Sequence, residues 1–209
     1  MQICPMVLLL GLAAVVGAGM SAVTRRLLTD PSTGWWSSPG TGAAGTAGLI
    51  TAPALNLGWD YELVVFLVAA LFSVPLVVLD LLEHRLPSAL IRPLACLTAA
   101  LLAIAAWERA DGTSALRAMM AAVVVTLLLL LLAVATGGVG AGDVKLGGVI
   151  GLLSGWFSWP SVALTMFAAT ASAAVLLGLR AAICRSPSVS SVAFGPFLVG
   201  GLFGSLLWP

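Results

Sequence analysis

Charge is what this chain has least of. Only 8% of its 209 residues are Asp, Glu, Lys or Arg, where soluble domains carry about 25%. That shortage excludes an ordinary soluble domain. Nine basic residues against eight acidic ones leave a net charge of +1. The basic residues are scattered rather than clustered, so nothing on the chain suits a phosphate backbone, and nucleic acid is excluded as a partner. A single histidine rules out HExxH and similar metal-ligand spacings; no metal and no other cofactor is expected. The three cysteines, Cys4, Cys96 and Cys184, form no CxxC pair, and their odd number suits no closed disulfide framework. Cys4 and Cys96 fall in apolar stretches and read as small core residues.

What fills the space is apolar: 61% of the residues are hydrophobic, in near-unbroken Leu, Ala and Val runs of about 20 residues, long enough to cross a bilayer. The windows are Ile3 to Thr24, a weaker Gly42 to Gly58, then Glu62 to Leu82, Ser88 to Trp107, Ala115 to Thr136, Val144 to Trp159, Ser161 to Ala181 and Val192 to Trp208. The fold class expected is an all-α, polytopic transmembrane helix bundle of about eight spans, or seven if Gly42–Gly58 does not cross. The first window lacks a basic residue before it and has Arg25-Arg26 after it, the polarity of a retained helix rather than a cleaved signal. With eight spans, Arg25, Arg26, Arg85, Arg92, Lys145, Arg180 and Arg185 face the cytoplasm and only Arg109 and Arg117 lie outside, as the positive-inside rule requires. The expected division is residues 1–61, an N-terminal helix, short cytoplasmic loop and weak second span, followed by 62–209, a six-helix core. Trp35, Trp36, Trp59, Trp107, Trp156, Trp159 and Trp208 sit mostly at expected interfaces, as an aromatic belt does.

Ionisable residues inside spans are costly and mark function. Asp30, Asp60, Glu62, Glu108 and Asp111 fall in expected loops, where water solvates them. Asp80 instead lies in Pro75-Leu-Val-Val-Leu-Asp80, within the cytoplasmic end of its helix. Asp143 follows the glycine-rich stretch Gly137-Gly-Val-Gly-Ala-Gly and opens another helix. In the eight-span topology both lie at one membrane face. Two carboxyls meeting in a low-dielectric cleft share a proton, and such a dyad can activate water against a peptide bond with no metal and no serine or cysteine nucleophile. Gly140 and Gly142 are expected to permit φ > 0 and close backbone approach beside Asp143. The positive end of a helix dipole at Asp143 favours the charged carboxylate, and the negative end near Asp80 favours the neutral one, so Asp80 is expected to hold the shared proton.

Glu83 and His84 follow Asp80 by three and four positions and share its helix face. They read as polar residues of the cytoplasmic rim, with possible support of the site; a metal site from Asp80, Glu83 and His84 lacks a recognised spacing. Lys145, two positions after Asp143, points elsewhere on an ideal helix and is an inside-positive anchor or a supporting residue. A different class of function uses the same ingredients: a proton-coupled transporter also places aspartates in the membrane, although neither broken helices nor paired repeats stand out here.

Three blocks resemble the type IV prepilin peptidases, membrane aspartic peptidases of the GxGD type. They are Asp80-Leu-Leu-Glu-His-Arg-Leu-Pro87, Gly140-Ala-Gly-Asp143-Val-Lys145-Leu-Gly-Gly, and Phe194-Gly-Pro-Phe197, in order along roughly Glu62 to Trp208. The resemblance implies an endopeptidase of the inner (plasma) membrane whose active site faces the cytoplasm. Its substrates would be prepilins or pilin-like proteins of type IV pilus or protein secretion systems, relieved of a short basic leader. Asp80 and Asp143 match the catalytic aspartates, and Gly140 and Gly142 the motif glycines. Longer members carry a cysteine-paired, zinc-binding cytoplasmic domain and also methylate the new N-terminus. The corresponding stretch here, Arg25 to Thr41, is short and has no cysteine, so N-methylation is not expected.

Overall fold

The computed structural model describes residues 3–28, 38–57, 60–184 and 193–207. Trp35, Trp36, Trp59, Trp208, Asp30, Arg185 and most of the Arg25–Thr41 stretch lie outside the described residues, as do the side chains of Cys4, Arg180 and Cys184. Among the described residues there are eight helices and no strand. They are α1 (Ile3–Leu27), α2 (Pro39–Asn56), α3 (Tyr61–Glu83), α4 (Ser88–Arg109), α5 (Gly112–Thr136), α6 (Ala141–Phe157), α7 (Trp159–Cys184) and α8 (Gly195–Ser205). Each expected apolar window holds a helix among its described residues, including the weak one, although the last is helical only over Gly195–Ser205. The weak segment starts early because Ser38 caps it, its Oγ accepting the Thr41 N–H at 3.3 Å, and because Pro39 occupies the first turn, where its missing N–H costs nothing. Tyr61–Glu83, Ser88–Arg109, Gly112–Thr136 and Trp159–Leu179 are each long and apolar enough to cross a membrane, and α8 is a shorter apolar helix.

The chain divides into two compact units, parted between Ala105 and Ala106 in the last turns of α4. In the first unit α1 and α2 pack together and both rest on α3. The α1–α2 contact depends on small residues: a Cβ on Gly17 would stand 2.5 Å from Thr46 Oγ1 and 2.6 Å from the Gly42 carbonyl oxygen. In lipid, where apolar burial does not drive helices together, such close backbone approach does. Helix α3 is the core element. Glu62, Phe66, Ala69, Ser73, Leu76 and Asp80 recur three or four residues apart and are all buried. Glu62 thus departs from its expected place in a solvated loop. It is 6% exposed in the first turn of α3, because it belongs to the same helical stripe, and the helix N-terminus favours an acid there.

The second unit is built on the α5–α6 hairpin. Asp111 caps α5 by accepting the Ser114 N–H at 3.1 Å and the Thr113 hydroxyl at 2.7 Å on Oδ1. Hydrogen bonding from Ser114, then Thr113, holds its carboxyl well below the usual carboxylate range. Gly137 ends α5 in the left-handed conformation, φ 65°, its N–H donating to the Ala133 carbonyl at 2.8 Å. Helix α6 lies close to α5 through glycines four residues apart: a Cβ on Gly151 would come 2.8 Å from the Ala121 carbonyl oxygen, and Gly155 faces Ala118 and Ala121. Arg117 secures the far end of this hairpin. Its Nε donates to the Gly155 carbonyl at 2.8 Å, and its Nη2 donates to the Trp156 carbonyl and to Ser114 Oγ. The opposite face of α5, with Val123, Leu127 and Leu131, is exposed, as a face turned to lipid chains must be. Helices α7 and α8 pack together, joined by the buried Thr165 hydroxyl donating to Ser205 Oγ at 3.0 Å.

Candidate active site

Asp80 owes its position to the α3 stripe. It is 4% exposed and lies one turn before the end of its helix, where His84 closes α3 in the left-handed conformation, φ 51°, and its N–H donates to the Asp80 carbonyl at 2.9 Å. A non-glycine residue there is strained by about 1 kcal/mol. The kink releases the chain into Arg85-Leu86-Pro87 and on to α4. Glu83 is half-buried and His84 exposed. Beside this turn lies a cleft of about 320 Å³ lined by Leu27, Leu79, Glu83, Arg85, Leu86 and Pro87. Asp80, Glu83 and His84 therefore share the end of α3 but differ in surroundings: a buried carboxyl, a half-buried one and an exposed imidazole.

Asp143 is the third residue of α6 and is 6% exposed. Its Oδ2 accepts the Gly140 N–H at 3.1 Å, while the Gly140 carbonyl accepts the Val144 N–H at 3.2 Å. The expected use of Gly140 and Gly142 for positive φ is corrected. Gly140 is extended, φ −75° and ψ 152°, and Gly142 lies inside α6; the left-handed glycine of this loop is Gly137. The physical reason is that reversing the chain takes place where α5 ends, leaving residues 138–140 to lead straight into α6. Lys145 is exposed, in keeping with its offset from Asp143. The Phe194-Gly-Pro-Phe197 block forms the start of α8, with Pro196 in its first turn and the two rings 6.5 Å apart at 45°; α8 packs on both α6 and α7.

Asp80, Glu83 and His84 thus belong to the first unit, and Gly140, Gly142, Asp143 and Lys145 to the second. Both aspartates are buried carboxyls within a turn of a helix end. Two features were missed by sequence reasoning. The Gly140–Asp143 hydrogen bond had a signal, since an acid at the third position of a helix commonly reaches back to the capping residue's N–H. The Arg117 contacts had no such signal.

Helices of this length and apolarity, with their backbone groups bonded internally as lipid demands, define an α-helical membrane protein. A match to the Type IV leader peptidase family over residues 67–179 takes in both aspartates and most of α3 through α7, so the chain belongs to that family and is a protease. No curated protein and no solved structure matches it.

Proposed function

We propose that this protease is an aspartic endopeptidase that removes the short basic leader from prepilins or pilin-like proteins at the cytoplasmic face of the inner membrane. The observation that carries it is the burial of two carboxyls, Asp80 and Asp143, each at a helix end and both within the residues matched to the family. The catalytic core is residues 62–209, and Asp80 and Asp143 serve as its two catalytic carboxyls. Ionised Asp143 takes a proton from water as the water oxygen attacks the scissile carbonyl carbon. Protonated Asp80 gives its proton to the carbonyl oxygen, leaving a neutral tetrahedral diol. Collapse of the diol breaks the C–N bond, with a proton passed to the departing nitrogen. A substrate whose apolar helix begins just past the cleaved bond needs chemistry at the membrane surface, because its leader stays in water while its helix stays in lipid. The chain works as a peptidase alone, without N-methylation.

Co-expression with candidate prepilins tests this. Leader removal is expected with wild type and is lost with Asp80→Ala and with Asp143→Ala. Cleavage that survives either substitution removes that residue from the dyad, and N-methylated product made by this chain contradicts the restriction to peptidase activity.

A further inference from the structure

We propose that the Gly140 backbone N–H is the positioning donor that holds the Asp143 carboxylate in its working orientation; this rests on Asp143 being catalytic, as proposed above. Gly140 is fastened through both of its peptide groups: the N–H donates to Asp143 Oδ2 at 3.1 Å, and the carbonyl accepts the Val144 N–H at 3.2 Å. The five residues 140–144 therefore close a turn around the carboxylate. Glycine has no side chain with which to return a bond to the helix, so this half of a capping box depends on the acid alone.

The backbone angles show what glycine contributes. At φ −75° and ψ 152° any residue is at ease, so conformational freedom is not the reason for a glycine. Room is: a Cβ at this position would stand 3.3 Å from Asp143 Oδ2, so the carboxylate would have to give by a few tenths of an ångström. Gly140 thus supplies a donor and a gap at one point. An ordinary helix cap would affect only stability. A donor aimed at a catalytic oxygen also sets where that oxygen lies, and a displacement on the order of 1 Å costs about 100-fold in rate.

The same angles provide a clean test. Proline adopts φ near −65° and has no N–H, so Gly140→Pro keeps φ and deletes the donor while adding the same Cβ that alanine adds. Gly140→Ala keeps the donor and adds the methyl. In the full-length protein in detergent, Gly140→Pro is expected to lower kcat for prepilin cleavage by about 10- to 100-fold with KM little changed, and Gly140→Ala to retain several-fold more kcat than Gly140→Pro. Independently of activity, the Gly140 amide proton, followed by NMR on glycine-labelled protein, is expected to move upfield when Asp143→Ala removes its acceptor. The proposal is overturned by wild-type kcat in Gly140→Pro, by equal losses in the two variants, or by an amide proton that ignores Asp143→Ala. A wild type that cleaves no prepilin counts against the leader-peptidase function instead, and the amide proton then still decides the Gly140–Asp143 link.

Discussion

Arg117 and Gly155 are joined by a hydrogen bond of 2.8 Å from Nε to the carbonyl oxygen across 38 residues of sequence. The guanidinium meets the last turn of α6, where the helix has run out of N–H groups and its dipole is negative. The guanidinium charge is thus met by carbonyl oxygens of α6. Arg117→Ala is expected to destabilise the protein by about 2–3 kcal/mol, the range for hydrogen bonds to a charged group, measured by denaturant unfolding in detergent. Arg117→Lys should recover less than half of this, since an ammonium cannot reach several acceptors as a planar fork does. Equal stability of all three proteins would mean the contact contributes nothing.

Gly151 and Gly178 are both helical glycines with opposite surroundings. A methyl on Gly151 would meet the backbone of α5 at 2.8 Å, whereas Gly178 has no atom within 4 Å of the same position. Gly151→Ala is expected to cost about 1–3 kcal/mol through forced separation of α5 and α6. Gly178→Ala should be neutral or gain up to about 1 kcal/mol from helix propensity. Thermal unfolding of the two variants side by side checks this, and a Gly151→Ala protein as stable as wild type would contradict the close packing.

His84 carries the left-handed turn at the end of α3. His84→Gly is expected to raise stability by about 1 kcal/mol or less, because glycine takes this conformation without a Cβ penalty. The relevant comparison is the shift in unfolding midpoint against His84→Ala, which keeps the strain and should not be stabilised.

Asp111 sets an acid limit on the start of α5. Its folded-state pKa lies below the unfolded value, so the unfolded chain binds the proton more readily. The contribution is fully present above the ordinary carboxylate range near pH 4 and is lost progressively as pH falls below it. Stability of wild type and Asp111→Ala, followed from pH 7 downward, should converge in acid. A gap that stays constant through pH 3 and below would show that the ionised cap is not responsible.

The helices were legible because lipid imposes a simple demand, length and apolarity, that leaves its record in composition. Asp80 was legible for a related reason: an acid inside an apolar window has to be accommodated by something. Glu62 was misplaced because it sits at a window's edge, where a solvated loop residue and the first residue of a buried stripe look alike in composition and differ only in helical phase. The phase was available, since Glu62 lies on the same stripe as Phe66 and Ser73. Gly140 was read as a site of positive φ and of close backbone approach; the dihedral angle is ordinary, and only the closeness to Asp143 holds. The Arg117 contacts required knowing which face of α6 meets α5, and although the glycines at 147, 151 and 155 mark that face, nothing in the linear sequence says what it touches.

The length of helix α3 has a consequence for the lipid in which the protein works. Its buried stripe begins and ends in an acid, Glu62 and Asp80, eighteen residues apart, which at about 1.5 Å per residue is a span of about 27 Å. An apolar helix of that length matches a hydrocarbon core of about 30 Å. Reconstituted in lipids of graded acyl-chain length, the protein should work best where the hydrocarbon layer equals that interval and falter in both thinner and thicker bilayers.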